Sequence, residues 1–215
     1  MMCGCLLDVV FILQFGEMCM LDFSPIDNKE MQILEFSKAV TVAHMRQATE
    51  DSIEYLLSLL ADLDDTDVTF DPLDPLADDP FAKEGEEKIG WSLAHLVVHV
   101  TASSEEGASI ASILARGIEF EGRLRYETPW ETVKTVAHCR QRLEESRRMR
   151  LGALDMFPDE PHLNVFRKLS PRYVEKFGEM NAPATFLFGL WHEVGHYAQF
   201  RDVCQQALNA KKVLA

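Results

Sequence analysis

Apolar residues recur every three or four positions over four long stretches of this chain, and proline, glycine and aspartate fill the gaps between them. A chain patterned this way buries its apolar stripes by packing helix against helix. The first stretch runs from about Asn28 to Leu63, with Ile53, Leu56, Leu57, Leu60 and Leu63 on one face. Strand-like alternation is hard to find. The expected fold is therefore all-α, a four-helix bundle.

The breaks define the other elements. Residues 62–80 carry eight Asp and three Pro with no Lys or Arg, which ends a helix and keeps the connection in water. The absence of glycine in that cluster argues against a calcium loop. A second helix is expected from Trp91 and Ser92 to about Arg116, carrying Leu96, Val100, Ile110, Ile113 and Leu114 together with His95 and His99. Thr128-Pro129-Trp130-Glu131 reads as an N-cap, a proline at the first helical position and a Glu at the third, so the third helix is expected from Thr128 to about Leu154. A short extra helix capped by Ser170 and Pro171 precedes Gly178, and the fourth long helix follows Asn181 and Pro183 to roughly Ala210. The link between helices two and three, about 11 residues at ~3.3 Å each, is long enough for a hairpin or for a crossover along a neighbouring helix.

In domain terms, residues 1–30 read as an N-terminal extension, with Met18, Met20 or Met31 as alternative starts, and 31–215 as the bundle domain. The apolar run Leu6–Phe15 contains Asp8 and falls short of the ~20 residues that span a bilayer, so neither a signal peptide nor a membrane partner is expected. Five scattered cysteines do not form a disulfide framework and suit a reducing cytoplasm. Cys3 and Cys5 make at most half of a zinc site. With 35 acidic against 21 basic residues and a formal charge of -14, nucleic acid is not an expected partner. Arg147, Arg148 and Arg150 read as a solvated helix face paired with Glu144.

The chemistry concentrates in histidines. His192 and His196 stand one helical turn apart, with Gln199 three residues further on the same face. Side chains so spaced have Cβ atoms ~5–6 Å apart and can bring two imidazole nitrogens to one ion at ~2.0–2.1 Å. His95 and His99 repeat the device on helix two, and spacing alone leaves either as a third ligand. His44, His138 and His162 occur singly and read as structural or solvent-facing. Residues 192–196 also satisfy His-Glu-x-x-His, the zincin pattern with Glu193 as base. That reading lacks a third ligand: no Glu or His follows His196, and Gln199 and Asp202 hold the metzincin glycine and histidine positions. Glu193 is instead expected at the surface or supporting a ligand.

Two stretches carry a family resemblance: Gly90-Trp91-Ser92-Leu93-Ala94-His95-Leu96-Val97-Val98-His99-Val100, and Trp191-His192-Glu193-Val194-Gly195-His196-Tyr197-Ala198-Gln199. Over roughly residues 35–210 the chain resembles the DinB/YfiT-like family of metal-dependent bundle proteins. The resemblance implies metal ligands at His99, His192 and His196, helices two and three running parallel, and a homodimer. It also implies a small-molecule substrate such as a low-molecular-weight thiol, since relatives include thiol S-transferases and a thiol-dependent isomerase. The N-terminal 30 residues, the acidic segment and His95 depart from the family pattern.

A three-histidine centre leaves positions open for water or substrate. The expected function is an enzyme of transferase or hydrolase type, in which a divalent metal, zinc or nickel ahead of iron or manganese, activates a thiol or water. Gln199 and His95 are the candidate catalytic residues, Gln199 orienting the bound group and His95 accepting a proton or supporting His99. The alternative is a metal-binding or stress-response protein without turnover.

Overall fold

The computed structural model describes residues 12–15, 18–75, 77, 84–85 and 87–214. The Cys3–Cys5 pair and the start of the 6–15 run lie outside the described residues. Before the bundle stands one antiparallel hairpin, β1 (Ile12–Phe15) and β2 (Met18–Leu21), with Ile12 opposite Leu21. Leu21 and Phe23 are buried in the same core as Ile33 and Phe36.

A single turn, α1 (Ser24–Asp27), precedes the first long stretch, which is two helices rather than one: α2 (Ile33–Ser37) and α3 (Val42–Leu59). Lys29 takes a left-handed φ of 61°, which no helix interior accommodates. Thr41 then opens α3 afresh. Its hydroxyl accepts from the His44 backbone N–H, and its own N–H donates to His44 Nδ1, both at 3.2 Å, so His44 serves as a cap partner. Inside the acidic segment Asp64 caps a single turn, α4 (Asp65–Val68). Asp64 and Asp67 both accept from Lys211 Nζ at 2.6 Å.

The second long helix falls where expected, as α5 (Leu93–Ala115) capped by Ser92. The third starts later than its first hydroxyl suggested. Residues 130–132 form only a 3-10 turn, Val133 is extended and buried, and Thr135 caps α6 (Val136–Asp155) through the His138 N–H. The extra helix is α7 (Pro171–Phe177), capped by Ser170. The fourth stretch divides at His196 into α8 (Ala182–Gly195) and α9 (Tyr197–Leu214). There the His196 N–H bonds back three residues to the Glu193 carbonyl, a local tightening from the α pattern.

The four long helices close a ring in which α3 and α5 each pack against both α6 and α8. Arg46 meets Asp155 and Arg147 meets Glu50, so α3 and α6 are antiparallel. Cys139 and Leu143 near the start of α6 share a cluster with Leu93 to Val100, and Phe157 just beyond its end packs on Ile110 and Leu114. Helices α5 and α6 therefore run parallel, joined by a crossover segment along the bundle. Leu93, Leu96, Val97 and Val100 are fully buried, each contributing ~1.5–3 kcal/mol. Arg150, expected on a solvated face, is 1% exposed; Arg147 does pair with Glu144, at 3.3 Å.

Candidate metal centre

Two glycines set how closely the site-bearing helices approach. A Cβ on Gly107 of α5 would lie 2.9 Å from the Thr185 carbonyl oxygen, and one on Gly189 of α8 would lie 2.9 Å from the Ser104 Cα. Helices without a side chain at the crossing come within backbone contact. One to two turns along the same antiparallel interface stand His99 and His192.

His99, His192 and His196 converge, with one ring nitrogen of each within 4.8 Å of the others. All three are half-buried. The Nε2 atoms of His99 and His192 are 3.3 Å apart. Two nitrogens at ~2.0–2.1 Å from a tetrahedral ion stand about 3.3–3.4 Å apart, so this spacing suits shared ligation. His192 is pushed down to about 3, first by burial and then by the neighbouring His196 and His99 rings. Burial likewise lowers His196. Both are then neutral near pH 7, the form that binds metal. Two imidazoles held neutral beside a third ring nitrogen fit a divalent cation.

The outer atoms set the tautomers. His196 Nδ1 lies 2.9 Å from Gln199 Oε1, and Gln199 Nε2 donates to Asp74 Oδ2 at 3.3 Å. The ring proton therefore sits on Nδ1 and leaves Nε2 free for an ion. Asp74 comes from the acidic segment, which rests on the start of α5 so closely that a Cβ on Gly90 would meet the Pro72 carbonyl at 2.3 Å. Nδ1 of His99 faces Arg125 Nη2 at 3.1 Å and Glu127 Oε1 at 3.6 Å. A guanidinium only donates, so Arg125 Nη2 bonds His99 Nδ1 and the His99 carbonyl as a donor, while Glu127 holds that guanidinium in place from beside the ring. Burial would raise the Glu127 carboxyl, but His99 and Arg125 hold it down at about 2. His192 Nδ1 is buried without a partner among the described residues.

Of the residues singled out from the sequence, Gln199 holds His196, one of the three clustered histidines, from outside the cluster. His95 stacks between Trp91, at 4.6 Å, and Trp130, at 5.3 Å. Trp91 also packs on His99 and His196. Glu193 is neither on the surface nor at the ion site. It is fully buried, 3.2 Å from Arg150 Nη1, and accepts from Ser104 Oγ at 3.1 Å. Committed to that pair inside the bundle, it is not placed to serve as a zincin base. Asp74, Arg125, Glu127 and Trp130 were missed because they lie in connections with no periodic register; only the closeness of Arg125 and Glu127 in sequence hinted at an ion pair.

A family model described as the DinB superfamily matches residues 48–200. The chain belongs to the DinB superfamily. Comparison with curated proteins and with solved structures gives no match. In this DinB-superfamily chain the matched span contains α5, α6 and α8 whole, α3 from Ala48 onward, and all three clustered histidines, which could hold a metal ion. No helix among the described residues is long and apolar enough to cross a membrane.

The cluster opens on a cleft of about 1120 Å³ between α5, α7, α8 and the crossover segment. His99 and His192 line one end with Trp91 and Trp130, and Tyr173 and Phe188 line the body. A cavity of this size accommodates a small molecule.

Proposed function

We propose that this chain is a metal-dependent enzyme of thiol S-transferase or hydrolase type, with His99, His192 and His196 as ligands of a zinc or nickel ion and a low-molecular-weight thiol as the favoured substrate. The observation that carries the reading is the convergence of three imidazoles at one end of a cleft large enough for a substrate. A protein that only stored metal would have no use for that cleft.

When bound, a divalent ion supplies Lewis acidity, lowering the pKa of a thiol or water beside it toward neutrality. The chain's own groups prepare the place. Gln199 holds a ring proton on the outer nitrogen of His196, and Arg125, paired with Glu127, bonds the outer nitrogen of His99. Trp91 packs against both of those rings and restricts their rotation. Trp130 and Trp91 wall the cleft beside His95, excluding water from the reacting end. His95 borders the same space and is the residue we assign to accept the proton released there. A cytoplasmic location and a homodimer complete the reading.

The test is a screen of thiols against an aryl halide and an epoxide, with zinc- and nickel-loaded protein beside protein stripped by a chelator. Metal-dependent thioether formation is expected with at least one low-molecular-weight thiol, or metal-dependent ester hydrolysis if water is the nucleophile. Metal-loaded protein with neither activity would leave a metal-binding protein without turnover.

A further inference from the structure

The cleft is positively charged although the whole chain carries -14. Arg123, Arg125, Arg167, Lys168 and Lys176 line it. Against these five cations the lining offers only the carboxylates Glu106 and Glu127. Even with Lys168 satisfied outside the lining by Glu119 at 2.9 Å, cations remain in excess.

The excess gathers at the end away from the histidines. Glu106 is 6% exposed and is already saturated: Arg123 grips it bidentately at 2.9 and 2.8 Å, and the Leu124 N–H donates at 3.1 Å. Arg167 nevertheless brings a second guanidinium, 8% exposed, whose Nη2 reaches the same carboxylate at 3.3 Å and the Gly122 carbonyl at 3.4 Å. Its Nε is buried with no partner among the described residues. Burying a second cation beside one saturated carboxylate is costly unless another anion completes it. Consistently, burial lowers Arg167 more than Glu106 supports it. Lys176, exposed and 4.7 Å from the Phe177 ring centroid, stands on the same wall.

We infer that the cleft takes a small organic anion whose carboxylate docks at Arg167, flanked by Arg123 and Lys176, while its other end lies at the three histidines. On α5 Glu106 stands seven residues from His99, about 10 Å at ~1.5 Å per residue, which sets the distance between the charged group and the reacting end. The anion site rests on the proposed metal function only for the role of that reacting end. Charge focused in a cleft of a chain repelling anions elsewhere directs an anionic substrate to the site.

Octanoate and its neutral isostere octanamide are titrated into the full chain by calorimetry, metal-loaded and again after chelation. Octanoate is expected to bind ~10-fold or more tightly than octanamide in both forms, as a charge-assisted hydrogen bond of ~1.4 kcal/mol requires. Arg167→Met should abolish the preference. Lys176→Gln, at an exposed position, and Arg123→Gln should each reduce it ~2–5-fold. Equal binding of the two probes, binding of neither, or a preference unchanged in all three variants would overturn the inference. Metal content read on the same samples keeps the two readings separate: a His192→Ala variant that retains its metal counts against the centre and leaves the octanoate ratio to stand alone.

Discussion

His192 makes the pH dependence of the metal-free chain a prediction with a definite sign. Its folded value of about 3 lies below the ordinary 6.5, so between those values the unfolded chain binds a proton that the folded chain refuses. The stability that depends on a neutral His192 is complete above 6.5 and is lost as pH falls toward 3, by up to ~1.4 kcal/mol per unit. The urea midpoint of stripped protein should therefore drop between pH 7 and 5, with a shallower drop in His192→Gln; an equal slope in the variant would contradict the assignment. Gln199→Ala and Glu127→Gln should each weaken metal binding ~10–100-fold, since they release a ligand ring, whereas His95→Ala should keep the metal. Competition with a chromophoric chelator measures all three. The pairing of His192 and His196 on one face was legible because one-turn spacing is a local property. His95 and His99 share that spacing, and what separates them is tertiary: Trp130 stacks on His95, and Glu127 reaches His99.

Among the elements, α5 and α8 carry the site, and their closeness decides its geometry. Gly189→Ala should gain ~0.5–1 kcal/mol of helix propensity, yet its Cβ would sit 2.9 Å from the Ser104 Cα, and forcing backbones apart costs ~1–3 kcal/mol. The variant should unfold at lower urea and bind metal more weakly, because His99 and His192 separate. The pair Arg150–Glu193 ties α6 to α8 beneath the same helices. Arg150→Met alone should cost ~3–5 kcal/mol by stranding a buried carboxylate, and adding Glu193→Met should restore most of it. Chemical denaturation of the single and double variants checks this. Helix ends were the least legible feature. Thr128 and Thr135 both precede a plausible first turn, and the choice falls on Thr135 because Val133 is buried and Trp130 is drawn to His95. Likewise nothing local distinguished Arg150 from Arg147; only the ring of helices puts one inside.

For the whole molecule, periodicity sufficed for a helical bundle but not for its topology, because a connection of that length allows hairpin and crossover alike. The parallel pair α5 and α6 follows from the packing of their matching ends. Net charge likewise concealed the cationic cleft, whose residues come from three separate segments. Metal loading should stabilise the fold by about 4 kcal/mol when free ion is ~1,000 times its dissociation constant, visible as a thermal shift that a chelator reverses. The central claim is tested most directly by elemental analysis of protein purified without added metal, alongside His99→Ala, His192→Ala and His196→Ala. The account predicts one divalent ion per native chain and substoichiometric metal in each variant. Stoichiometric metal retained in all three variants would contradict it.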